Sequence, residues 1–139
     1  MRVAYEIIEH PADVGFRAYG ATLEELFKNA AEAMMSLGCA LESIEERECR
    51  EVAAHGENLE ALLYDWLAEI LAIADAEQLV FRRAEVTEVT SSKAGGVVYG
   101  EKFDKTRHQA GTYIKAVTYH QLQVGQTADG WRAQVFLDV

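Results

Sequence analysis

Two stretches of this chain repeat apolar residues at three- and four-residue spacing, and both lie before residue 78. The pattern does not return, so the helices belong to the first half and the second half must be built of strands. In the first stretch Leu23, Leu26, Phe27, Ala30, Met34 and Leu37 share one helical face. Thr22-Leu23-Glu24-Glu25 opens it as a capping box, in which a hydroxyl and a carboxylate satisfy the free amides of a helix start, and Gly38 is the expected stop. In the second, Asn58 caps a helix with the buried stripe Leu59, Leu62, Leu63, Trp66, Leu67, Ile70 and Leu71, ending near Ala74-Asp75. Its carboxylates Glu60, Asp65 and Glu69 read as a solvated surface.

The rest of the chain reads as strands. Residues 3–8 and 14–19 flank a turn punctuated by the single proline, Pro11, and residues 47–54 form a weaker strand between the helices. From residue 79 onward come strands at 79–86, 96–103, 112–124 and 132–137, with turns at Ser91-Ser92, Gly95-Gly96, Gly111 and Thr127-Ala128-Asp129-Gly130. Runs of strands with two segregated helices predict an α+β domain: a largely antiparallel sheet with both helices packed on one face. A chain of 139 residues fits one such domain, spanning 1–139.

Charge narrows the function. Acidic residues outnumber basic ones 23 to 13, for a net charge of -10, the wrong sign for gripping a nucleic-acid backbone unaided. Docking on a basic partner stays open, as does a plain role in solubility. No apolar run approaches the roughly 20 residues of a membrane span. The first residues carry no secretory pattern, so a cytoplasmic protein is expected. Cys39 and Cys49 lack C-x-x-C or zinc-ligand spacing and read as free thiols.

Three stretches hold the residues that could carry chemistry: 10–15, 100–120 and the last two positions. Residues 130–139 read as a strand running into the final residue, which sets the Asp138 carboxylate and the terminal carboxylate of Val139 one residue apart. An apolar end of this kind is expected to be held rather than frayed, and adjacent carboxylates need something positive close by. Asp13 lies in a turn, where an aspartate commonly bonds its own backbone. Taken with Asp138 and Val139, it makes a set of three hard oxygen donors suited to calcium or magnesium and unsuited to zinc.

In residues 111–120, strand alternation puts Ile114, Ala116, Thr118 and His120 on one face and Lys115, Val117 and Tyr119 on the other. Lys115 reads either as half-solvated or as a fixed cation for a phosphate or acidic group. His120 reads either as a hydrogen-bonded structural histidine or as a site residue. There is no G-x-S-x-G, P-loop or H-E-x-x-H, so no catalytic residue is assigned.

His10-Pro11-Ala12-Asp13-Val14-Gly15, Thr22-Leu23-Glu24-Glu25-Leu26-Phe27, Gly100-Glu101, Ile114-Lys115-Ala116-Val117-Thr118-Tyr119-His120 and the final Asp138-Val139 together resemble the archease family, in order and over essentially the whole chain. Pro11 stands where that family commonly has threonine. The resemblance implies an accessory protein rather than an independent enzyme. Its partner would be the tRNA-splicing RNA ligase that joins 2′,3′-cyclic phosphate or 3′-phosphate ends to 5′-hydroxyl ends. It would promote guanylylation of that ligase's active-site histidine, allow multiple turnover and broaden nucleotide use. It also implies a metal site at Asp13, Asp138 and Val139, with calcium or another divalent cation as cofactor, and roles for Asp13, Lys115 and His120 in activating the partner. Two alternatives stand beside it: a chaperone-like modulator of RNA-modifying enzymes, and a small metal-dependent phosphohydrolase using Asp13, His10 and Lys115.

Overall fold

Both helix starts form where the capping residues stand. The computed structural model describes residues 3–9 and 13–139, so the turn read at 10–12, including His10 and Pro11, lies outside the described residues. In α1 (Leu23–Gly38), Thr22 holds extended backbone and its Oγ1 accepts from the Glu25 amide at 3.1 Å. The Glu25 carboxylate reaches back one residue further than a standard capping box and accepts from the Ala21 amide at 2.7 Å. In α2 (Leu59–Glu77), the Asn58 side chain accepts from the Ala61 amide at 2.8 Å.

The two helix ends differ. α2 closes on Gln78 in left-handed backbone, φ 55°, whose amide bonds the Ala74 carbonyl. α1 runs through Gly38 and gives way at Cys39 to extended backbone, so Gly38 is its last turn rather than a left-handed cap. The carbonyls of Leu37 and Gly38 are instead taken by the amides of Thr112 and Gly111, each at 2.9 Å. The Cys39 amide bonds the Met35 carbonyl locally, and a segment far along the sequence takes up the last two carbonyls.

Among the described residues eight strands follow in chain order: β1 (Tyr5–Glu9), β2 (Val14–Gly20), β3 (Glu48–His55), β4 (Leu79–Val89), β5 (Lys93–Lys102), β6 (Ala116–Val117), β7 (Gln123–Thr127) and β8 (Gly130–Asp138). The α+β class and the antiparallel pairing are as the sequence predicts, and the strands divide between two sheets. One has the order β1-β2-β8, with β6 and β7 both on the far edge of β8; the other has the order β3-β5-β4. The helices bridge them. α1 packs on β1, β2 and β8 of the first sheet and β4 of the second, while α2 packs on β3, β4 and β5 of the second and β6 and β7 of the first.

One core results, with Phe16, Leu26, Phe27, Leu62, Trp66, Ile70, Val98, Val135 and Leu137 shut off from water. The buried indole of Trp66 donates to the Phe27 carbonyl at 3.1 Å, as a buried Trp N–H must find a partner. Two of the helix carboxylates expected to be merely solvated are used: Asp65 accepts from the His55 amide at 2.8 Å and Glu60 from the Val124 amide at 3.3 Å. They tie α2 to strands of both sheets. Among the described residues no helix is long and apolar enough to cross a membrane, and Cys39, buried, and Cys49, exposed, are free thiols.

The strand expected over 112–124 is the main departure. Only Ala116–Val117 and Gln123–Thr127 join the sheet. Ile114 and Val117 are both buried although they sit on opposite parities, so the simple alternation does not hold across this stretch. Between Val117↔Leu137 and Gln123↔Gln134 the chain advances six residues against three on β8, so three residues are looped out. Gln121, at φ 52°, makes the left-handed turn within this loop.

Candidate functional site

Strand β8 sorts its side chains by alternation. Ala133, Val135 and Leu137 enter the core, while Gln134, Phe136 and Asp138 belong to the other face. Along β2, Val14 pairs with Leu137 and Gly15 with Phe136. The same register carried one residue further sets Asp13 across from Asp138, on the same face. On the opposite edge of β8, Ala116 pairs with Asp138, and the Lys115 amide donates to the Asp138 carbonyl at 2.8 Å.

The ends of three strands therefore gather Asp13, Asp138, Val139 and Lys115 at one end of one sheet. Asp138 and Lys115 are exposed, and Asp13 and Val139 are half-buried. Neighbouring strands lie about 4.8 Å apart, so the two aspartates are near neighbours despite their separation in sequence. No group of three or more His, Cys, Asp or Glu side chains among the described residues is placed to hold a metal ion. Asp13 and Asp138 are two such side chains, and the third donor read from the sequence is a terminal carboxylate. His120 is exposed within the looped-out residues, its ring centroid 5.9 Å from that of Phe136. Its neighbour Tyr119 stacks face to face on Tyr64 of α2, with centroids 4.0 Å apart.

The loop that leads to Lys115 starts from a buried cluster around Glu101. Glu101, at the end of β5, is 2% exposed. The Arg107 guanidinium donates to both of its oxygens, the Glu45 amide to Oε2 at 2.7 Å, and the His108 Nε2 lies 3.0 Å from the same oxygen. His108 Nδ1 accepts from the Asp104 amide at 2.9 Å. The proton of the neutral ring is therefore on Nε2, which donates to Glu101. The Arg107 bonds, more than offsetting the cost of burial and helped by the Glu45 amide and His108, lower the Glu101 pKa to about 2.

The consequence for the site runs along the chain. Glu101 and its partners fix the start of the loop after β5, the bonds of Gly111 and Thr112 to the end of α1 fix its middle, and the buried Ile114 side chain fixes its end. Lys115 comes next. Residues 110–114 also form one wall of an apolar cavity of about 450 Å³, shared with Met34, Cys39, Leu71 and Phe103. A signal for the cluster was present in the sequence: an acidic residue at the end of an apolar strand, with Arg107-His108 six and seven residues later.

Comparison with known proteins gives a consistent outcome. The profile of the Archease protein family (MTH1598/TM1083) matches residues 5–139. Protein archease of Methanosarcina acetivorans is 41% identical over 139 residues, covering 97% of this chain and 95% of its own length. Protein archease of Pyrococcus abyssi is 42% identical, covering 97% and 98%. The solution structure of protein 1598 of Methanobacterium thermoautotrophicum superposes with a TM-score of 0.83 at 34% identity, covering 98% of this chain and 99% of that one. The crystal structure of an archease, possible chaperone, from Thermotoga maritima matches at a TM-score of 0.65 and 22% identity over 100% and 98%, a likeness of fold alone.

Proposed function

This chain belongs to the archease family, and from that premise we propose that it activates an RNA ligase rather than catalysing a reaction alone. The partner is the cytoplasmic tRNA-splicing ligase that joins 2′,3′-cyclic phosphate or 3′-phosphate ends to 5′-hydroxyl ends. The protein promotes guanylylation of the ligase's active-site histidine, so that the ligase turns over repeatedly and accepts a wider range of nucleotides. The observation that supports this reading is the register across β2, β8 and β6, which gathers two aspartates with Lys115 from three distant parts of the chain.

The donor set fits a hard divalent cation such as calcium. Asp13, Asp138 and the Val139 terminal carboxylate are all oxygen donors, with no thiolate or imidazole among them, and calcium takes oxygen ligands in a flexible shell. Such an ion neutralises charge developing on a transferring phosphoryl group. The protein's own residues do the rest. Asp13 and Asp138 would hold the cation, and Lys115, tied through its backbone to Asp138, brings a positive charge to the same end of the sheet. A net charge of -10 suits docking on a basic RNA enzyme.

The test is multiple-turnover ligation by the purified ligase with and without this protein. Wild-type protein is expected to stimulate turnover, and Asp13→Ala and Lys115→Ala to reduce stimulation by tenfold or more while still folding. Absence of stimulation by wild-type protein rejects the reading. A requirement for stoichiometric amounts, with both variants fully active, points to a chaperone-like modulator instead.

A further inference from the structure

We infer that Gly15 and Phe136 position the His120 imidazole on the sheet face that carries Asp13 and Asp138, so that a partner group engaged by the carboxylates meets His120 as well. The proposal rests on the functional reading above for the partner, and on geometry alone for the positioning. Phe136 lies two residues from Asp138 and therefore on the same face, opposite the core-facing Val135 and Leu137. An aromatic ring there would be expected to stand in water. It is 2% exposed.

Gly15 gives the ring room to lie against the sheet. It pairs directly with Phe136, and a Cβ at Gly15 would lie 2.6 Å from Cδ1 and 2.7 Å from Cε1 of the Phe136 ring. The ring thus lies down over the glycine, in a slot that any side chain would fill. The imidazole of His120 packs on this ring, with centroids 5.9 Å apart and planes tilted at 58°.

The backbone of the looped-out residues is fixed to the same strand. The Thr118 amide and hydroxyl both donate to the Phe136 carbonyl, at 3.1 and 3.0 Å, and the Thr118 hydroxyl accepts from the His120 amide at 3.3 Å. Gln134 donates to the Gln121 carbonyl at 3.2 Å. His120 is consequently exposed yet held at both backbone and ring, and the Phe136 ring it packs on stands two strand residues, about 7 Å, from Asp138 along the same face. A cationic, hydrogen-bonding group of a partner that engages the carboxylates therefore has the imidazole on the same face to bond as well.

Two measurements test this. The carbon-bound imidazole proton resonances of His120 are expected to move in Phe136→Leu and in Gly15→Ala, because the ring beneath them is lost or displaced. Should Gly15→Ala fail to fold, Gly15→Ala with Phe136→Val restores the space, and the same resonance change is expected. Unchanged His120 resonances in folded Phe136→Leu protein overturn the positioning. In the ligation assay, His120→Ala, Phe136→Leu and the Gly15 variant are each expected to raise the concentration giving half-maximal stimulation by about tenfold, and His120→Gln to recover part of it. Wild-type values in His120→Ala overturn the contact while leaving the ligase reading intact. If wild-type protein does not stimulate the ligase, that reading and the partner contact fail together, and the resonances alone decide the positioning.

Discussion

Replacing Glu101 with glutamine removes the charge at the centre of the loop anchor and keeps its shape. In the folded protein the Arg107 guanidinium, aided by the Glu45 amide and His108, holds this carboxyl at about 2 against an ordinary 4.5. At 1.36 kcal/mol for each tenfold change in proton affinity, that difference is worth about 3 kcal/mol of folding stability. Glutamine keeps one acceptor for His108 and the Glu45 amide, but its amide group turns a donor toward the Arg107 donors. The loss falls at the low end of the roughly 3 to 5 kcal/mol typical of a broken buried pair, because the Arg107 side chain is 37% exposed and recovers hydration. With an unfolding entropy of about 2.1 cal/mol/K per residue, a loss of about 3 kcal/mol lowers the melting temperature by roughly 10 °C at pH 7.

The same substitution has a pH signature. Above the unfolded value near 4.5 both states are ionised and the stabilisation is complete. As the pH falls from there toward about 2, the unfolded chain takes up the proton first and wild-type protein loses this contribution. The glutamine variant carries no such term, so the gap between the two melting curves should close across that window. Thermal unfolding followed by circular dichroism from pH 7 to pH 3 measures it. A variant within about 2 °C of wild type at pH 7, or a gap as wide at pH 3 as at pH 7, would refute the assignment of Glu101 as an ionised anchor.

Calcium at 100 times its dissociation constant should stabilise the protein by about 2.7 kcal/mol, a rise of roughly 9 °C, and either chelator or extension of the chain beyond Val139 should abolish the rise. Gly111→Ala places a Cβ 2.3 Å from the Leu37 carbonyl oxygen. It should cost about 1 to 3 kcal/mol, read as a lowered urea midpoint, and speed hydrogen exchange in the last turn of α1. Ile114→Ala empties a core position and should cost about 2 to 4 kcal/mol, again by urea denaturation. Both substitutions loosen the lead-in to Lys115, so both should weaken ligase stimulation beyond what the loss of folded protein explains.

The parts of the fold legible in the sequence were those decided locally. Thr22 and Asn58 cap helices because a side-chain oxygen three residues from an amide needs no distant partner, and both bonds form. The stripes of α1 and α2 fix which faces enter the core for the same reason. Residues 112–124 went wrong because their alternation is set by what they pair with: β8 takes Ala116–Val117 and Gln123–Thr127 and leaves the rest looped out. Asp13, Asp138 and Val139 could be marked as one donor type, but their proximity comes from the β2–β8 register, a long-range property that one sequence does not display. Glu101 was visible only as part of a motif, since a carboxylate in a sequence gives no sign of whether water or arginine surrounds it.

The five residues between β6 and β7, three more than β8 passes over the same span, divide this end of the protein by its tolerance of length. A residue gained or lost within 118–122 changes how far Tyr119 and His120 project and leaves both ladders on β8 aligned. The same change within 112–115 would shift Lys115 off the Asp138 carbonyl and slide a core residue out of place. Relatives can thus vary the reach of the loop while keeping the spacing of the carboxylate end, so that shape against a partner and the geometry of the charged residues are free to diverge at different rates.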